Sequence, residues 1–156
     1  MHIDRYERIW IIISALVLAA LFGVLLYSYY GQGIHLETNV AQLHPAEAHA
    51  TAPFDNPGLR QVGPKEYEAV MIAQAWAFNP REISVPVGST VNFTMTSVDV
   101  IHGFKIQGTT VNRMVIPGQV TRARYTFTKP GEYLFVCHEY CGAGHHVMSG
   151  VIHVEE

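Results

Sequence analysis

The sequence predicts an all-β domain, a sandwich or Greek-key barrel, carried behind one N-terminal membrane helix. Three observations lead there. Ile9 to Leu36 contains no Asp, Glu, Lys or Arg. From Tyr67 onward apolar and polar residues alternate with period two, the mark of half-buried strands. Once a membrane-length segment is set aside, what remains of a 156-residue chain is about one domain's worth.

Ile9 through Leu26 is apolar apart from Ser14, with Trp10 at one end and Tyr27, Tyr29 and Tyr30 at the other. About 20 apolar residues cross a hydrocarbon core, and aromatics at both edges suit the two interfacial belts. We therefore expect a membrane helix over 9–30. A cleaved signal peptide fits less well, because bulky Tyr-Ser-Tyr-Tyr stands where a small-residue cleavage site belongs. Arg5 and Arg8 precede the helix and no Lys or Arg follows until Arg60. The positive-inside rule then makes residues 1–8 a cytoplasmic N-terminus and puts the rest of the chain outside the cytoplasm.

Residues 31–66 are rich in Gly and Pro without apolar periodicity and read as an extended linker. Its histidines, His35, His44 and His49, lack metal-ligand spacing and are expected to be solvated. The domain proper is expected over 67–156, with strands near 67–75, 82–87, 90–97, 101–106, 120–128, 132–137 and 148–155. Turns fall at Pro117-Gly118 and Lys129-Pro130-Gly131. The clearest alternation sets Val91, Phe93 and Met95 against Asn92, Thr94 and Thr96. Seven or so short strands in about 90 residues mean a sandwich or barrel.

Composition narrows the function. Hydrophobic residues make up 49% and charged ones 15%, which excludes a disordered chain. Ten Lys plus Arg against thirteen Asp plus Glu, with no basic run, leaves no footprint for nucleic acid. The chemistry is concentrated in Cys137-His138-Glu139-Tyr140-Cys141-Gly142-Ala143-Gly144-His145-His146-Val147-Met148, between two predicted strands. Cys141, His145 and Met148 supply a thiolate, an imidazole and a thioether, the ligand types of a copper site. His102 can supply a second imidazole from an earlier strand. Cys137 chooses between one metal and two, because two thiolates on one loop can bridge a copper pair, each copper taking one imidazole and a weak axial ligand. Gly142 and Gly144 would let the loop fold around that pair. A Cys137–Cys141 disulfide and a structural zinc are the alternatives, but zinc leaves Met148 unexplained. His138 and His146 are expected to be loop residues outside the ligand set, and His153 a surface imidazole.

With these residues in hand, the sequence resembles subunit II of the haem-copper cytochrome c oxidases, and within them the ba3 type. The likeness covers almost the whole chain. It rests on Asp99-Val100-Ile101-His102-Gly103-Phe104, on Pro130-Gly131-Glu132-Tyr133 and on the Cys137 to Met148 run. The resemblance implies a cupredoxin fold and two copper ions per chain in a binuclear CuA centre. It makes Cys137 and Cys141 bridging thiolates, places His102 and Met148 on one copper, and places His145 and the backbone carbonyl of Glu139 on the other. Most subunits II have two membrane helices, and the single one here points to the ba3 branch. In some related oxidases the glutamate corresponding to Glu139 also binds magnesium at the subunit interface.

The resemblance further implies an electron-accepting subunit of a cytochrome c oxidase in a prokaryotic cell membrane. Cytochrome c would be the donor, a haem-bearing subunit I the acceptor, and oxygen reduction in the complex would be coupled to proton translocation. Membrane lipid and a small extra subunit complete the partners. Tyr6-Glu7-Arg8 is similar to the stretch whose glutamate lies at the cytoplasmic mouth of the proton channel, although Glu7 also suits an ordinary helix start. Trp76 stands where related subunits place the aromatics that receive electrons, although it could equally be a core tryptophan. From Lys65 onward seven Lys plus Arg face eight Asp plus Glu, a formal charge of −1. Docking is thus expected to rest on apolar contact. A nitrous oxide reductase carries a similar centre but needs a catalytic domain too large for this chain. A membrane-anchored cupredoxin carrier or copper-delivery protein is the other reading.

Overall fold

The computed structural model describes residues 4–31 and 41–156. Met1–Ile3 and the 32–40 part of the expected linker, with His35, lie outside them. The chain divides into two compact units, Met1–Asn39 and Val40–Glu156.

In the first unit, helix α1 spans Arg5–Leu26 and continues as one wide π-turn over Tyr27–Gly31. It starts a turn earlier than the apolar run because Asp4 caps it, its Oδ1 accepting the Tyr6 N–H at 3.0 Å. The segment Arg5–Gly31 is 27 residues with a stretch of mean hydropathy 2.9, long and apolar enough to cross a membrane. Its apolar side chains point outward on every side, as a lipid-facing helix requires.

The second unit is a sandwich of two five-stranded sheets. The strands are β1 (Gly58–Gly63), β2 (Glu66–Gln74), β3 (Ala77–Asn79), β4 (Glu82–Pro86) and β5 (Thr90–Ser97). They continue with β6 (His102–Ile106), β7 (Asn112–Val115), β8 (Thr121–Thr126), β9 (Gly131–Val136) and β10 (Ser149–Glu155). One sheet runs β1-β2-β5-β8 with β3 paired to β2; the other runs β4-β10-β9-β6-β7. Pairs β2/β5 and β4/β10 are parallel and the rest antiparallel. Val91, Phe93 and Met95 face inward, as the alternation predicts, and meet Phe104, Phe135 and Phe78. These rings pack edge to face or tilted at 5.2 to 5.7 Å between centroids.

Three strands lie outside the expected set. β1 carries few apolar residues, β3 has three residues, and β7 is an edge strand exposed at Asn112, Arg113 and Met114. A larger correction concerns the stretch 31–66, expected to be a linker. Within it Pro45–Ala50 forms a 3-10 turn, Phe54 is buried to 1% exposure, and β1 pairs with β2. This strap lies on the outer face of the first sheet, where Phe54 and Leu43 pack with Val70, Ile72 and Val120. It is tied down by Leu43 N–H to Gly118 O at 3.0 Å and Val120 N–H to Ala41 O at 2.9 Å. The strap explains why β2 reads Ala69-Val70-Met71-Ile72-Ala73 without alternation: both of its faces are covered.

Phe54→Ala should therefore lower domain stability by about 3–5 kcal/mol, and a fragment beginning at Pro64 should unfold at lower denaturant than one beginning at Gln42. Equal unfolding midpoints for the two fragments would contradict a structural role for the strap.

Candidate metal centre

The site lies at one end of the sandwich core, where period two places its residues. On β6, His102, Phe104 and Ile106 all point inward, and Phe135 at the end of β9 shares its face with Cys137. His102 is therefore fully buried. The loop from Cys137 to Met148 leaves β9 and returns as β10. Its base is closed by Cys137 N–H to Met148 O at 3.0 Å, so the two chain ends stay paired although they are no longer in strands. Inside it a 3-10 turn over His145–Val147 is set by His145 N–H to Gly142 O and Val147 N–H to Gly144 O, each 3.1 Å.

This geometry gathers soft donors. The Cys137 and Cys141 sulfurs are 3.8 Å apart and both thiols are free. That is well beyond a disulfide bond of about 2 Å. His102 Nδ1 lies 3.9 Å from Cys137 Sγ, and His145 Nδ1 lies 3.6 Å from Cys141 Sγ. Met148 Sδ is 3.7 Å from Cys141 Sγ, and the Cys137 thiol donates to the Glu139 carbonyl at 3.2 Å. His102, Cys137 and Cys141 present ligand atoms mutually within 4.8 Å. The donors fit a soft metal such as copper better than zinc, because the buried thioether is the fifth side chain at a place where four would close a zinc site.

Neighbouring groups hold the donors. Gly103 donates its N–H to Cys137 Sγ at 3.4 Å. A Cβ on Gly103 would meet the His138 ring at 2.5 Å, and His138 Nε2 lies 3.2 Å from Arg113 O. His138 is thus an exposed support beside the thiolate strand and His146 is exposed, while His153 lies 3.5 Å from Glu132 on the surface. The Glu139 side chain is exposed, and only its carbonyl turns to the sulfurs. Trp76 occupies the tight turn between β2 and β3. It is 44% exposed and donates its indole N–H to Cys141 O at 3.0 Å. The loop glycines serve this ring, since Cβ atoms on Gly142 and Gly144 would approach it to 2.9 and 2.6 Å. Gly142 also has φ of +117°. Glu7 stands in the first turn of α1, exposed, in the other unit of the chain.

One residue of the site had no role in the sequence reading. Asp99 Oδ1 lies 2.8 Å from His102 Nε2. Burial pushes its carboxyl up, but the His102 hydrogen bond, with those from Ala75 and Val100 N–H, outweighs burial and holds it below the ordinary carboxylate value. A signal was present in the sequence: an aspartate three residues before the candidate ligand, in a short turn. In the metal-free protein burial is the main cause that raises the Cys141 thiol to about 11, with the neighbouring Cys137 adding to it.

A family profile described as "Cytochrome C oxidase subunit II, periplasmic domain" matches residues 70–155. A cytochrome c oxidase subunit 2 of Thermus thermophilus is 36% identical over 155 residues, 97% of this chain and 92% of the relative. A second Thermus thermophilus cytochrome c oxidase subunit 2 is 42% identical over 117 residues, 74% of this chain and 87% of the relative. A chain of a heme-copper terminal oxidase dimer solved by cryo-EM superposes with TM-score 0.76 and 38% identity, over 97% of this chain and all of that one. The periplasmic domain of subunit II of the Bradyrhizobium japonicum cytochrome oxidase shares the fold, at TM-score 0.53 and 24% identity over 57% of this chain and 83% of its own.

Because Cys141 is a protonated thiol at neutral pH before metal arrives, its ligation must displace a proton. Copper affinity should rise with pH between about 6 and 9, and copper added to a weakly buffered sample should release acid, read with a pH indicator. Proton-free, pH-independent uptake would rule out Cys141 as a thiolate ligand.

Proposed function

The chain belongs to the cytochrome c oxidase subunit II family, and from that premise we propose that it accepts electrons from cytochrome c at a binuclear CuA centre and passes them to haem in subunit I. Membership makes the chain a subunit of a haem-copper terminal oxidase complex, so other oxidase subunits are expected. The observation that carries the finer reading is the pair of free thiols 3.8 Å apart at the end of the core.

In this reading Cys137 and Cys141 would be the shared thiolate ligands of two copper ions, His102 and Met148 would serve one, and His145 with the Glu139 carbonyl would serve the other. The bound pair would supply a one-electron store with no position kept for a substrate. The protein's own part is to hold six donors in place and to offer a surface. The donor loop, the segment before β6 and the β2–β3 turn together expose Tyr140, Val147, Val100, Ile101 and Trp76 on a domain that is nearly neutral, which favours a donor protein seated by apolar contact. Trp76 is the bridge in that surface: its indole is half-exposed on one side and hydrogen-bonded to Cys141 on the other.

The apolar helix anchors the chain in a prokaryotic cell membrane, with the N-terminus in the cytoplasm and the sandwich domain outside it. The partner chains reduce oxygen and couple it to proton translocation, and Glu7 stands at the cytoplasmic mouth of the proton channel. A magnesium ion at the Glu139 carboxylate would draw its remaining ligands from subunit I. Among the described residues that carboxylate joins no cluster of metal-binding groups.

Purification of the native complex is the test: the chain should come away with a haem-bearing membrane partner, and a chain isolated without one would favour a free carrier or a copper-delivery protein. Cys137→Ser should abolish the spectrum of an electron shared between two coppers; its survival would disprove bridging. Trp76→Ala should slow electron transfer from cytochrome c with the copper spectrum unchanged, and the native rate should fall only weakly as salt rises. A steep salt dependence with a harmless Trp76→Ala would make charge, and not the aromatic, the docking element.

A further inference from the structure

Asp99 sits where three parts of the site cross. Its Oδ1 accepts the Val100 N–H at 2.6 Å and lies 2.8 Å from His102 Nε2, and its Oδ2 accepts the Ala75 N–H at 2.6 Å. An aspartate that only closed a turn would need the local N–H of Val100. Here the carboxylate also reaches a fully buried imidazole and, 24 residues away in sequence, the turn that carries Trp76.

One contact ends on a candidate copper donor, and the other leads to a second through Trp76. With Nε2–H directed at a carboxylate, Nδ1 keeps its lone pair, and Nδ1 is the nitrogen that faces Cys137 at 3.9 Å. A negative acceptor also makes the imidazole a stronger electron donor, which favours the oxidised metal. On the other side, Ala75 is joined to Trp76, whose indole N–H holds the Cys141 carbonyl at 3.0 Å. The Trp76 turn is thus fastened to one donor residue through Asp99 and to the other directly.

We propose that Asp99 is a positioning residue with two effects: it fixes His102 as the Nε2–H tautomer and lowers the reduction potential of the centre, and it pins the Ala75–Trp76 turn so that the indole stays bonded to Cys141. The effect on potential rests on His102 being a copper ligand, as proposed above. The tautomer and the pinned turn do not require a metal.

The full-length chain is compared in detergent as native, Asp99→Asn and Asp99→Ala, each with Trp10→Phe so that the remaining indole is Trp76. Asn keeps one oxygen that can accept from His102, but it removes the charge and sets an NH2 donor against the Ala75 N–H. Asp99→Asn should therefore retain copper and the native spectrum while its reduction potential rises. Asp99→Ala should lose about 10-fold to 100-fold in copper affinity, and the Trp76 indole N–H should exchange faster with solvent. In the metal-free chain, imidazole nitrogen NMR should report His102 as Nε2–H in the native protein. An unchanged potential in Asp99→Asn would overturn the electronic effect, and unchanged indole exchange in Asp99→Ala would overturn the pinning. A native His102 protonated on Nδ1 would overturn the tautomer assignment. Native protein that takes up no copper would defeat the proposed function, whereas Nε2–H in that same metal-free protein would uphold the tautomer assignment.

Discussion

The site depends on one closure, the hydrogen bond from Cys137 N–H to the Met148 carbonyl. It pairs the two ends of a loop that contains five of the six proposed donors, so the loop begins and ends at fixed points on the second sheet. It carries the β9/β10 pairing one step beyond Val136 and Ser149, so Cys137 and Met148 leave the sheet side by side. Both are buried at the edge of the main core beside Cys141.

That edge is stiff because of what lies beneath it. Phe104 is two residues beyond His102 and Phe135 two before Cys137, so strand pairing and the Phe78, Phe93, Phe104 and Phe135 packing position donors on both strands. Close-packed interiors do not yield easily. A redox site benefits, because donors already in place need little rearrangement when one electron arrives or leaves. The side facing solvent is held by hydrogen bonds instead, through Asp99 and Trp76, while the buried Gly103 N–H steadies Cys137 from within.

The sandwich and the donor loop were legible because both leave local marks. Val91, Phe93 and Met95 alternate, and the loop gathers two cysteines, histidines and a methionine within twelve residues. The strap was not legible, since Phe54 and Leu43 owe their packing to a sheet formed by later residues and show no period of their own. β1 and β7 escaped for a related reason: edge strands need bury little, so their sequences carry little pattern. Asp99 was readable as part of a motif but not as a link, because its contact with Ala75 depends on how the loop before β6 meets the turn after β2. For Trp76, pattern alone left core and surface open, and a half-exposed indole bonded to the donor loop combines features of both.

The most direct measurement is electron paramagnetic resonance of the copper-loaded native chain, taken with a metal count on the same sample. Two thiols bridging a metal pair predict two coppers per chain and a hyperfine pattern from one unpaired electron shared equally between two nuclei. One copper per chain with the electron confined to a single nucleus would contradict the account.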